Sequence, residues 1–412
     1  MHPNPSSAII PCIAGDGIGK EITAAMQMVI DQAVLHAYQN QRHIIWQAYP
    51  AGLSSFQASG EWLPEATMNA LRTHPAAIKG PLTTPVAGGM RSLNVQLRQA
   101  LDLYVCLRQM RWFESLPSPH HSPEGIDIVI FRENTEDIYT GIEYQPDSEA
   151  HRIWLECIRG ALPDDYARIP HPQECGIGIK PISRPGSQRL MRAALRWALD
   201  NNRQRLTIVH KGNIMKFTEG AFRNWAYDVA ENEFSSQVLT RHQYERMQAE
   251  VGDESASKEK EAAQNAGQLW IDDVIADVAF EQLITRPQGF DVIATTNLNG
   301  DYLSDAAAAL TGGVGISPGA NINFEQQRAL FEANHGSAEA LAGKNLANPS
   351  SLILSAEMML RFIGWQEAAN LVINGLKQTV RSRLVTFDLA QQIEGAKELG
   401  TMEFAQAICS QF

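Results

Sequence analysis

The chain has 412 residues, of which 44% are hydrophobic and 19% charged, and its formal net charge at pH 7 is −12. Single hydrophobic cores stop growing at roughly 250–300 residues, so this length predicts two domains or one large domain with an excursion. The acidic balance argues against nucleic acid and anionic membranes as partners, and a small anionic substrate would need a local basic pocket.

Targeting signals and cysteines indicate the cellular compartment and whether disulfides or a zinc site are expected. The sequence has no apolar run of membrane-spanning length and no leader before Ile9, which predicts a cytoplasmic protein. Its five cysteines are scattered and lack CxxC spacing, so neither a disulfide framework nor a zinc site is predicted.

Strand and helix signals alternate from the start of the chain, as in an α/β fold. Ala8 to Ala14 predicts a strand, and a glycine-rich turn and a helix from about Glu21 follow it. The turn Gly15-Asp16-Gly17-Ile18-Gly19 lacks the G-x-G-x-x-G spacing of dinucleotide-binding folds. We therefore favour a tight turn that packs helix on strand over a Rossmann-type site.

A helix with one polar face is predicted after a Pro/Gly loop that ends near Arg91. Ser92 stands at the N-cap of a helix that would begin at Leu93 and repeat its apolar residues at helical spacing. Asn94 and Arg98 lie four residues apart on another face, near a helix N-terminus that attracts anions.

Three arginines occur in or just beyond neighbouring elements. Arg98 lies in the predicted helix, Arg108 in an alternating segment that predicts a strand, and Arg132 just after the apolar strand Ile126 to Phe131. Three guanidinium groups in one cleft would bind a di- or tricarboxylate. The alternative is a set of unrelated arginines in surface ion pairs.

The middle of the chain is less regular. Residues 141–183 contain several prolines and predict a protruding subdomain. After them we predict a helix at Leu190 to Asp200, a strand at Arg205 to His210 and a helix at Thr218 to Asn232. The polar run from Gln243 to Ala266 predicts a solvated helix or a mobile insertion without chemistry.

Two pairs of aspartates, Asp273 with Asp277 and Asp301 with Asp305, have helical spacing. Like charges on one helix face repel each other unless a cation lies between them, and oxygen ligands favour Mg²⁺ or Mn²⁺. The alternative is that Asp273 and Asp301 cap helices.

The remaining candidate functional residues are two proton carriers and one binding loop. Tyr139 and Lys211 are the candidate acid–base residues. The loop Asn334-His335-Gly336-Ser337-Ala338 is able to hold an adenosine moiety, although an ordinary surface loop is the alternative.

Together these segments resemble the β-decarboxylating dehydrogenases that act on isocitrate and isopropylmalate, most closely the bacterial isocitrate-oxidising members. The resemblance extends from Gly15 to about Cys409. Its motifs are Lys79-Gly80-Pro81-Leu82-Thr83-Thr84-Pro85, Arg91-Ser92-Leu93-Asn94-Val95, Phe131-Arg132-Glu133-Asn134-Thr135-Glu136-Asp137-Ile138-Tyr139, Lys211-Gly212-Asn213-Ile214-Met215-Lys216 and Asn297-Leu298-Asn299-Gly300-Asp301-Tyr302.

The resemblance implies an α/β/α sandwich unlike the Rossmann fold. Residues 1–104 and 312–412 would form a large domain, residues 105–139 and 184–311 a small domain, and residues 140–183 a clasp. The implied assembly is a homodimer with shared active sites, in which the second chain supplies Lys211 and Asp277.

The activity implied by the resemblance is Mg²⁺- or Mn²⁺-dependent oxidative decarboxylation of isocitrate to 2-oxoglutarate and CO₂. Tyr139 and Lys211 match the catalytic pair, and Asp277, Asp301 and Asp305 match the metal ligands. The residues that match isocitrate-binding positions are Thr84, Ser92, Asn94, Arg98, Arg108 and Arg132.

The implied dinucleotide site differs from that of NADP-using members. The matching residues are Asn334, His335, Gly336, Ser337, Ala338, Ala340, Leu341, Asn348, Phe387 and Gln391. NADP-using members carry lysine, tyrosine, tyrosine and arginine at four of these positions, where this chain has Ala340, Leu341, Phe387 and Gln391. A 2′-phosphate would be poorly paired there, so NAD is predicted over NADP, although Arg286 still matches one phosphate-contacting position.

Three alternatives to an NAD-dependent enzyme on isocitrate remain. One is the same reaction with NADP. Another is a related dehydrogenase for homoisocitrate or a different malate derivative, against which Ser92 and Asn94 argue. The third is a non-catalytic regulatory subunit, against which the presence of Tyr139, Lys211 and the aspartates argues.

Overall fold

The computed structural model describes residues 6–83 and 92–412, so Thr84 and the rest of the predicted Pro/Gly loop up to Arg91 lie outside the described residues. Within the described ranges, strands and helices alternate along the chain. The strands are β1 (Ser7–Ile13), β2 (His43–Ala48), β3 (Ala76–Lys79), β4 (Val105–Arg111), β5 (Asp127–Glu133), β6 (Glu143–Tyr144), β7 (Ile177–Gly178), β8 (Arg205–His210), β9 (Val238–Thr240), β10 (Leu269–Ile275), β11 (Val292–Thr295), β12 (Pro318–Asn323), β13 (Arg328–Ala333), β14 (Leu384–Val385) and β15 (Lys397–Glu398).

Helices of four to twenty residues connect these strands. They are α1 (Gly19–Tyr38), α2 (Leu53–Ser59), α3 (Glu65–Thr73), α4 (Leu93–Ala100), α5 (Glu149–Ala161), α6 (Pro163–Tyr166), α7 (Arg184–Asp200), α8 (Glu219–Glu233), α9 (Arg241–Val251), α10 (Asp253–Asn265), α11 (Ala276–Thr285), α12 (Asn297–Ala309), α13 (Ser350–Phe362), α14 (Gln366–Arg381), α15 (Phe387–Ala390) and α16 (Thr401–Cys409). Short 3₁₀ turns occur at Asp137–Thr140, Pro287–Gly289, Val314–Ile316 and Glu339–Leu341.

A sheet of eleven strands, in the order β2-β1-β3-β13-β12-β4-β5-β11-β8-β10-β9, organises the chain. Its two outer parts are parallel, and the central pairs β13 with β12, β12 with β4 and β4 with β5 are antiparallel. The strands of the predicted large and small domains occupy opposite halves of this sheet. The division into domains remains a prediction, because one continuous sheet spans both halves.

Helices cover both faces of the sheet. Successive residues of β5 belong to different hydrophobic clusters, since Val129 and Phe131 join one cluster and Ile128 and Ile130 another. Alternate side chains of a strand point to opposite faces, so each cluster lies on its own side. The first cluster contains residues of α1, α7 and α13, and the second contains residues of α11 and α12. The fold is therefore the three-layer α/β/α arrangement that the resemblance predicts.

The glycine-rich turn after β1 packs strand and helix together, as predicted. Gly17 has a positive φ of 56°, and a Cβ atom there would lie 2.0 Å from the carbonyl oxygen of Ser337. That oxygen accepts a hydrogen bond from the amide of Ile18 at 2.9 Å. The buried carboxylate of Asp16 accepts bonds from the backbone amides of Leu53 (3.0 Å), Ser54 (3.1 Å) and Thr83 (2.9 Å).

Two segments are more regular than predicted. Residues 149–161 form α5, capped by Ser148, although sequence indicated only irregular structure there. The apolar residues of α5 do recur at helical spacing, but only His151 and Leu155 of this helix are buried in the chain. Helix α7 begins at Arg184, six residues before the prediction, because Ser183 caps it and a proline is compatible with its first turn.

The polar insertion is also ordered. It forms α9, which starts with a capping box of Thr240 and Gln243, and α10, which follows Gly252. The ammonium of Lys260 lies 3.5 Å from the ring centre of Trp270 in β10, so the insertion packs on the sheet edge. No helix in the described ranges is long and apolar enough to cross a membrane.

The contact between Gly17 and Ser337 leads to a stability prediction. We expect Gly17→Ala to lower the free energy of unfolding by about 1–3 kcal/mol more than Gly60→Ala, because overpacking adds to the left-handed strain that both variants share. Gly60 is the matched control, since it has a φ of 77° and no atom within 4 Å of its added Cβ. Urea unfolding measures both variants, and equal losses would contradict the predicted clash.

Candidate active site

A cleft of about 290 Å³ opens at the junction of the two halves of the sheet. It brings together most of the residues predicted for substrate, catalysis and metal. The predicted residues that line it are Ser92, Asn94, Arg98, Arg108, Arg132, Tyr139, Asp301, Asp305, Asn334, His335 and Gly336. Lys211 and Asp277 do not line it, and Thr84 belongs to the part of the chain that is not described.

Helix α4 and strands β4 and β5 carry the three arginines. Helix α4 begins at Leu93 after Ser92, as predicted, but the Ser92 side chain makes no capping hydrogen bond to the helix. In the antiparallel ladder, Arg132 of β5 faces Cys106, two residues from Arg108 on β4. The side chains of Arg108 and Arg132 therefore lie on the same face of adjacent strands.

A buried carboxylate, Glu332 of β13, holds this cationic region together. It accepts bonds from Lys79 Nζ (2.7 Å), Arg98 Nη2 (2.8 Å) and Asn321 Nδ2 (2.8 Å). Burial alone would raise the pKa of Glu332, but the charges of Lys79 and Arg98 lower it well below its usual value. The carboxylate therefore stays ionised and fixes one edge of the Arg98 guanidinium.

Several buried polar atoms in the cleft have no partner among the described residues. They are Arg98 Nε, Arg108 Nη1, Asn94 Oδ1 and His335 Nε2. Leaving such a group unpaired costs roughly 1–3 kcal/mol, so buried polar atoms in native proteins usually have partners. Two of the four atoms belong to guanidinium groups and are donors only, which matches the cleft to a ligand rich in anionic oxygens.

Arg132, Asp301 and Tyr139 form a linked group on the other wall. Arg132 donates from Nε to Asn297 Oδ1 at 2.9 Å and forms an ion pair with Asp301. The hydroxyl of Tyr139 donates to Asp301 Oδ2 at 2.6 Å. Gly300 permits this approach, because a Cβ atom there would lie 2.6 Å from Arg132 Cγ.

These contacts determine the protonation states of Asp301 and Tyr139. Burial alone would raise the pKa of Asp301, but the Arg132 charge and the Tyr139 hydrogen bond lower it. Burial raises the pKa of Tyr139 to about 12, against the opposing effect of Arg132. At neutral pH the carboxylate is ionised and the phenol keeps its proton.

Asp305 lies one turn beyond Asp301 on α12, as the spacing predicted. Burial, reinforced by the neighbouring Asp301, raises its pKa despite the opposing charge of Arg108. Two carboxylates on one helix face that repel each other provide oxygen ligands for a divalent cation.

The prediction that Asp273 and Asp277 lie on one helix face is wrong. Asp273 lies in β10 and Asp277 in the first turn of α11, so they do not share a helix face. A strand-to-helix boundary falls between them, and a spacing of four residues does not reveal such a boundary. Asp273 does not cap a helix but accepts bonds from Tyr227 Oη (2.7 Å) and His210 Nε2 (3.0 Å). The capping alternative is also wrong for Asp301, which lies inside α12.

Lys211 and Asp277 contact each other away from this cleft, with Lys211 Nζ 2.5 Å from Asp277 Oδ1. The loop after Lys211 exposes two large apolar side chains, Ile214 (70% exposed) and Phe217 (92% exposed). Within the described ranges, no three His, Cys, Asp or Glu side chains are grouped to hold a metal ion. Asp301 and Asp305 line the cleft, whereas Asp277, the third predicted metal ligand, does not.

The predicted dinucleotide residues fall into two groups. Asn334, His335 and Gly336 line the cleft, and burial lowers the pKa of His335. Ser337 turns away from them, since its Oγ accepts a bond from Thr83 at 2.9 Å, and Ala338 adopts a left-handed φ of 42°.

The second group follows the loop to the C-terminal segment. Asn348 donates to Asp388 at 3.0 Å, which ties its loop to α15, where Phe387 lies, and Gln391 follows α15 directly. Ala340 is exposed, and Leu341 is partly buried against the core.

Sequence reasoning missed the residues that join these parts. Glu219, fully buried in α8, accepts bonds from Lys180 Nζ (2.9 Å), the Lys211 amide (3.0 Å), Thr296 Oγ1 (2.9 Å) and Asn299 Nδ2 (2.8 Å). Glu219 thereby links the Lys211 loop to the helix of Asp301. An acidic residue in the first turn of a helix is common, so the sequence carries no signal of this role.

The burial of Glu332 leads to a second stability prediction. We expect Glu332→Gln to lower the free energy of unfolding at pH 7 by about 3–5 kcal/mol, because Lys79 and Arg98 lose their buried counter-charge. Since the folded pKa of Glu332 lies below its unfolded value, its contribution is present above the unfolded value near 4.5 and is lost as pH falls. The difference between the wild type and the variant should therefore shrink in acid.

Glu65→Gln is the matched control for this variant, because Glu65 forms an exposed ion pair with Arg72 at 2.7 Å. Urea titrations of both variants from pH 7 to pH 3 measure the effect. A Glu332→Gln loss no larger than that of the control would contradict the role of the buried carboxylate.

Comparisons with known proteins agree with this architecture. Residues 9–408 match the isocitrate/isopropylmalate dehydrogenase family. The chain is 50% identical over 407 residues to an isocitrate dehydrogenase [NADP] of Staphylococcus epidermidis, covering 98% of this chain and 95% of the relative. It is 48% identical over 407 residues to one of Pseudomonas aeruginosa, covering 98% and 93%.

Two solved structures are also similar. The isocitrate dehydrogenase from Methylococcus capsulatus has a TM-score of 0.77 at 34% identity, covering 98% of this chain and 99% of that chain. The TT0538 protein from Thermus thermophilus has a TM-score of 0.75 at 33% identity, covering 98% and 68%. On this evidence, the chain belongs to the isocitrate/isopropylmalate dehydrogenase family.

Proposed function

We propose that this protein catalyses the oxidative decarboxylation of isocitrate to 2-oxoglutarate and CO₂, with reduction of a nicotinamide dinucleotide. The observation that carries the proposal is the cleft, in which buried arginines, with N–H groups unpaired among the described residues, face the two carboxylates of α12. The names of the curated relatives support isocitrate as the substrate.

Substrate binding is assigned to Arg98, Arg108 and Arg132, together with Ser92 and Asn94. Isocitrate carries three carboxylates, and the guanidinium group is the side chain best shaped to pair with them. Arg98 Nε and Arg108 Nη1 are buried without partners in residues 6–83 and 92–412, and they would gain partners when substrate binds. Arg132, paired with Asp301, would contact both the substrate and the metal-ligand wall.

Asp301 and Asp305 would hold Mg²⁺ or Mn²⁺ together with Asp277 of a second subunit. The set consists of carboxylate oxygens, which suits these cations. When bound, the cation would act as a Lewis acid on the substrate oxygens. Arg132 and Tyr139 already orient the Asp301 carboxylate through both of its oxygens.

Tyr139 and Lys211 are assigned to proton transfer. The raised pKa of Tyr139, about 12, results mainly from burial and keeps its phenol protonated at neutral pH. The phenol is then ready to donate a proton to the carbon from which CO₂ departs. Lys211, from the second subunit, would act as the partner acid or base.

A homodimer with shared sites completes the proposal. Lys211 and Asp277 lie away from the cleft of their own chain, and the neighbouring Ile214 and Phe217 expose apolar surface that a second copy would cover. The protruding segment that contains α5 would interlock the subunits.

NADP is the oxidant that the relatives favour, since those from S. epidermidis and P. aeruginosa are both named as NADP enzymes. The exposed Arg286, whose ion pair with Glu281 is 3.9 Å long, would be available to a 2′-phosphate. The prediction of NAD is not supported by these names.

NAD is the second candidate, because one feature of the sequence favours it. Ala340, Leu341, Phe387 and Gln391 offer no cation and no hydroxyl at the positions where NADP-using members bind the 2′-phosphate. Charge-assisted hydrogen bonds contribute roughly 1.5–3 kcal/mol each, so their loss would weaken NADP binding.

Steady-state kinetics of the purified protein test the reaction. We expect isocitrate to be oxidised only when Mg²⁺ or Mn²⁺ is present, with NADP giving a kcat/KM at least about tenfold above NAD if the relatives indicate the oxidant correctly. A reversed ratio would assign NAD. Homoisocitrate and isopropylmalate serve as substrate controls.

Two outcomes of these assays would overturn the assignment. Faster turnover of a control substrate would favour a related dehydrogenase, and no turnover of any substrate would favour a regulatory subunit. The variant Ala340→Lys/Leu341→Tyr separates the oxidants further, because the added cation and hydroxyl should raise kcat/KM for NADP more than for NAD.

Subunit complementation tests the shared site. A heterodimer of Tyr139→Phe and Lys211→Met chains, purified through two different tags, should keep about half of the wild-type activity, because one site carries both substitutions and the other neither. Each homodimeric variant should be nearly inactive, and a doubly tagged wild-type dimer is the control. An inactive heterodimer would show that each chain builds its site alone.

A further inference from the structure

We propose that His210, held in one tautomer by Asp273, is a positioning residue that fixes the backbone on the C-terminal side of Lys211; this inference rests on the proposed role of Lys211. His210 ends β8 and is almost fully buried. Neither residue lines the substrate cleft, and the reaction as proposed makes no use of them.

The contacts of His210 determine its tautomer. Its Nδ1 lies 3.0 Å from the amide of Gly212, and its Nε2 lies 3.0 Å from Asp273 Oδ2. A backbone N–H only donates, so Nδ1 must be the acceptor and cannot carry a hydrogen. The hydrogen is then on Nε2, which donates it to the carboxylate.

Asp273 is itself held from several sides. Its Oδ1 accepts from Tyr227 Oη at 2.7 Å, and its carbonyl accepts from Arg241 Nη1 at 3.0 Å. Burial alone would raise the pKa of Asp273, but the bonds from His210 and Tyr227 lower it to about 2. A permanently ionised carboxylate thus orients the imidazole.

The backbone at Lys211 has little freedom between these partners. Its own amide donates to Glu219 Oε2 at 3.0 Å, and the next amide donates to His210. A Cβ atom at Gly212 would lie 2.7 Å from Gly220 Cα and 2.9 Å from His210 Nδ1. Both peptide units that flank the Lys211 Cα are therefore fixed, and so is the direction in which its side chain leaves the backbone.

This geometry should affect chemistry more than binding. A displacement of about 1 Å at a reacting group is able to reduce the rate by roughly 10²-fold, and loss of a residue that orients a functional side chain costs roughly 10–100-fold. Lys211 is assigned to proton transfer and not to holding isocitrate. Loss of the His210 contact should therefore lower kcat and leave KM for isocitrate nearly unchanged.

Two isosteric variants separate positioning from general stability. In His210→Asn, the side-chain oxygen replaces Nδ1 and still accepts from Gly212, whereas His210→Gln places its amide near Nε2 and keeps only the contact with Asp273. We expect His210→Gln to lose roughly 10–100-fold in kcat and His210→Asn to stay within about threefold of wild type.

Ile208→Val is the matched control, because it removes one buried methyl group from the same strand without touching the contacts of Lys211. Wild-type turnover of isocitrate shows whether the proposed function holds, so failure of that function is separate from failure of this inference. Given an active wild type, equal kcat values for the two His210 variants, high or low, would overturn the inference.

A measurement on the unmodified protein covers the case in which a variant does not fold. Nitrogen NMR of ¹⁵N-histidine-labelled protein, with His210 assigned through whichever variant folds, should show the Nε2–H tautomer at neutral pH. An Nδ1–H tautomer or a protonated ring would overturn the inference, since neither is able to accept from Gly212.

Discussion

A single row of residues across four neighbouring strands underlies the cleft. Lys79 of β3 lies beside Glu332 of β13, Glu332 beside Gly319 of β12, and Gly319 beside Arg108 of β4. The buried carboxylate of Glu332 compensates the cations on its side of the row and reaches Arg98 above it. A Cβ atom at Gly319 would lie 3.3 Å from Arg108 Cζ, so the glycine leaves room for the guanidinium. An acidic protein thereby keeps a buried cluster of cations at the cleft.

A second layer of buried charges connects the other parts of the candidate site. Lys180 bridges Asp137 (2.7 Å) and Glu219 (2.9 Å), and thereby links the turn that carries Tyr139 to α12 and to the backbone of Lys211. Burial would lower the pKa of Lys180, but its two carboxylate partners raise it, so this bridge stays charged. The cation cluster, α12 and the Lys211 loop are therefore braced by a few ionised groups, and each of these groups has partners on at least two segments.

Much of the candidate site was predictable, since its residues belong to motifs with a local physical meaning. Spacing within single elements predicts Ser92 at the start of a helix, arginines in or beside predicted strands, and Asp301 one turn before Asp305. The errors arose where two elements meet. Asp273 and Asp277 straddle a strand-to-helix boundary. Glu219 and Glu332 gave no signal, because their roles depend on partners that are distant in sequence.

The sequence by itself determined the α/β class, most strand and helix positions, the family resemblance and the residues that carry chemical groups. Short-range periodicity and motif spacing encode all of these. Only the tertiary structure decided which of those groups meet. It placed Lys211 with Asp277 away from the cleft, paired Arg132 with Asp301, and set Asp273 against His210. The physical reason is that sheet order and register are long-range properties, fixed by how strands pair and cores fill, and no local pattern records them.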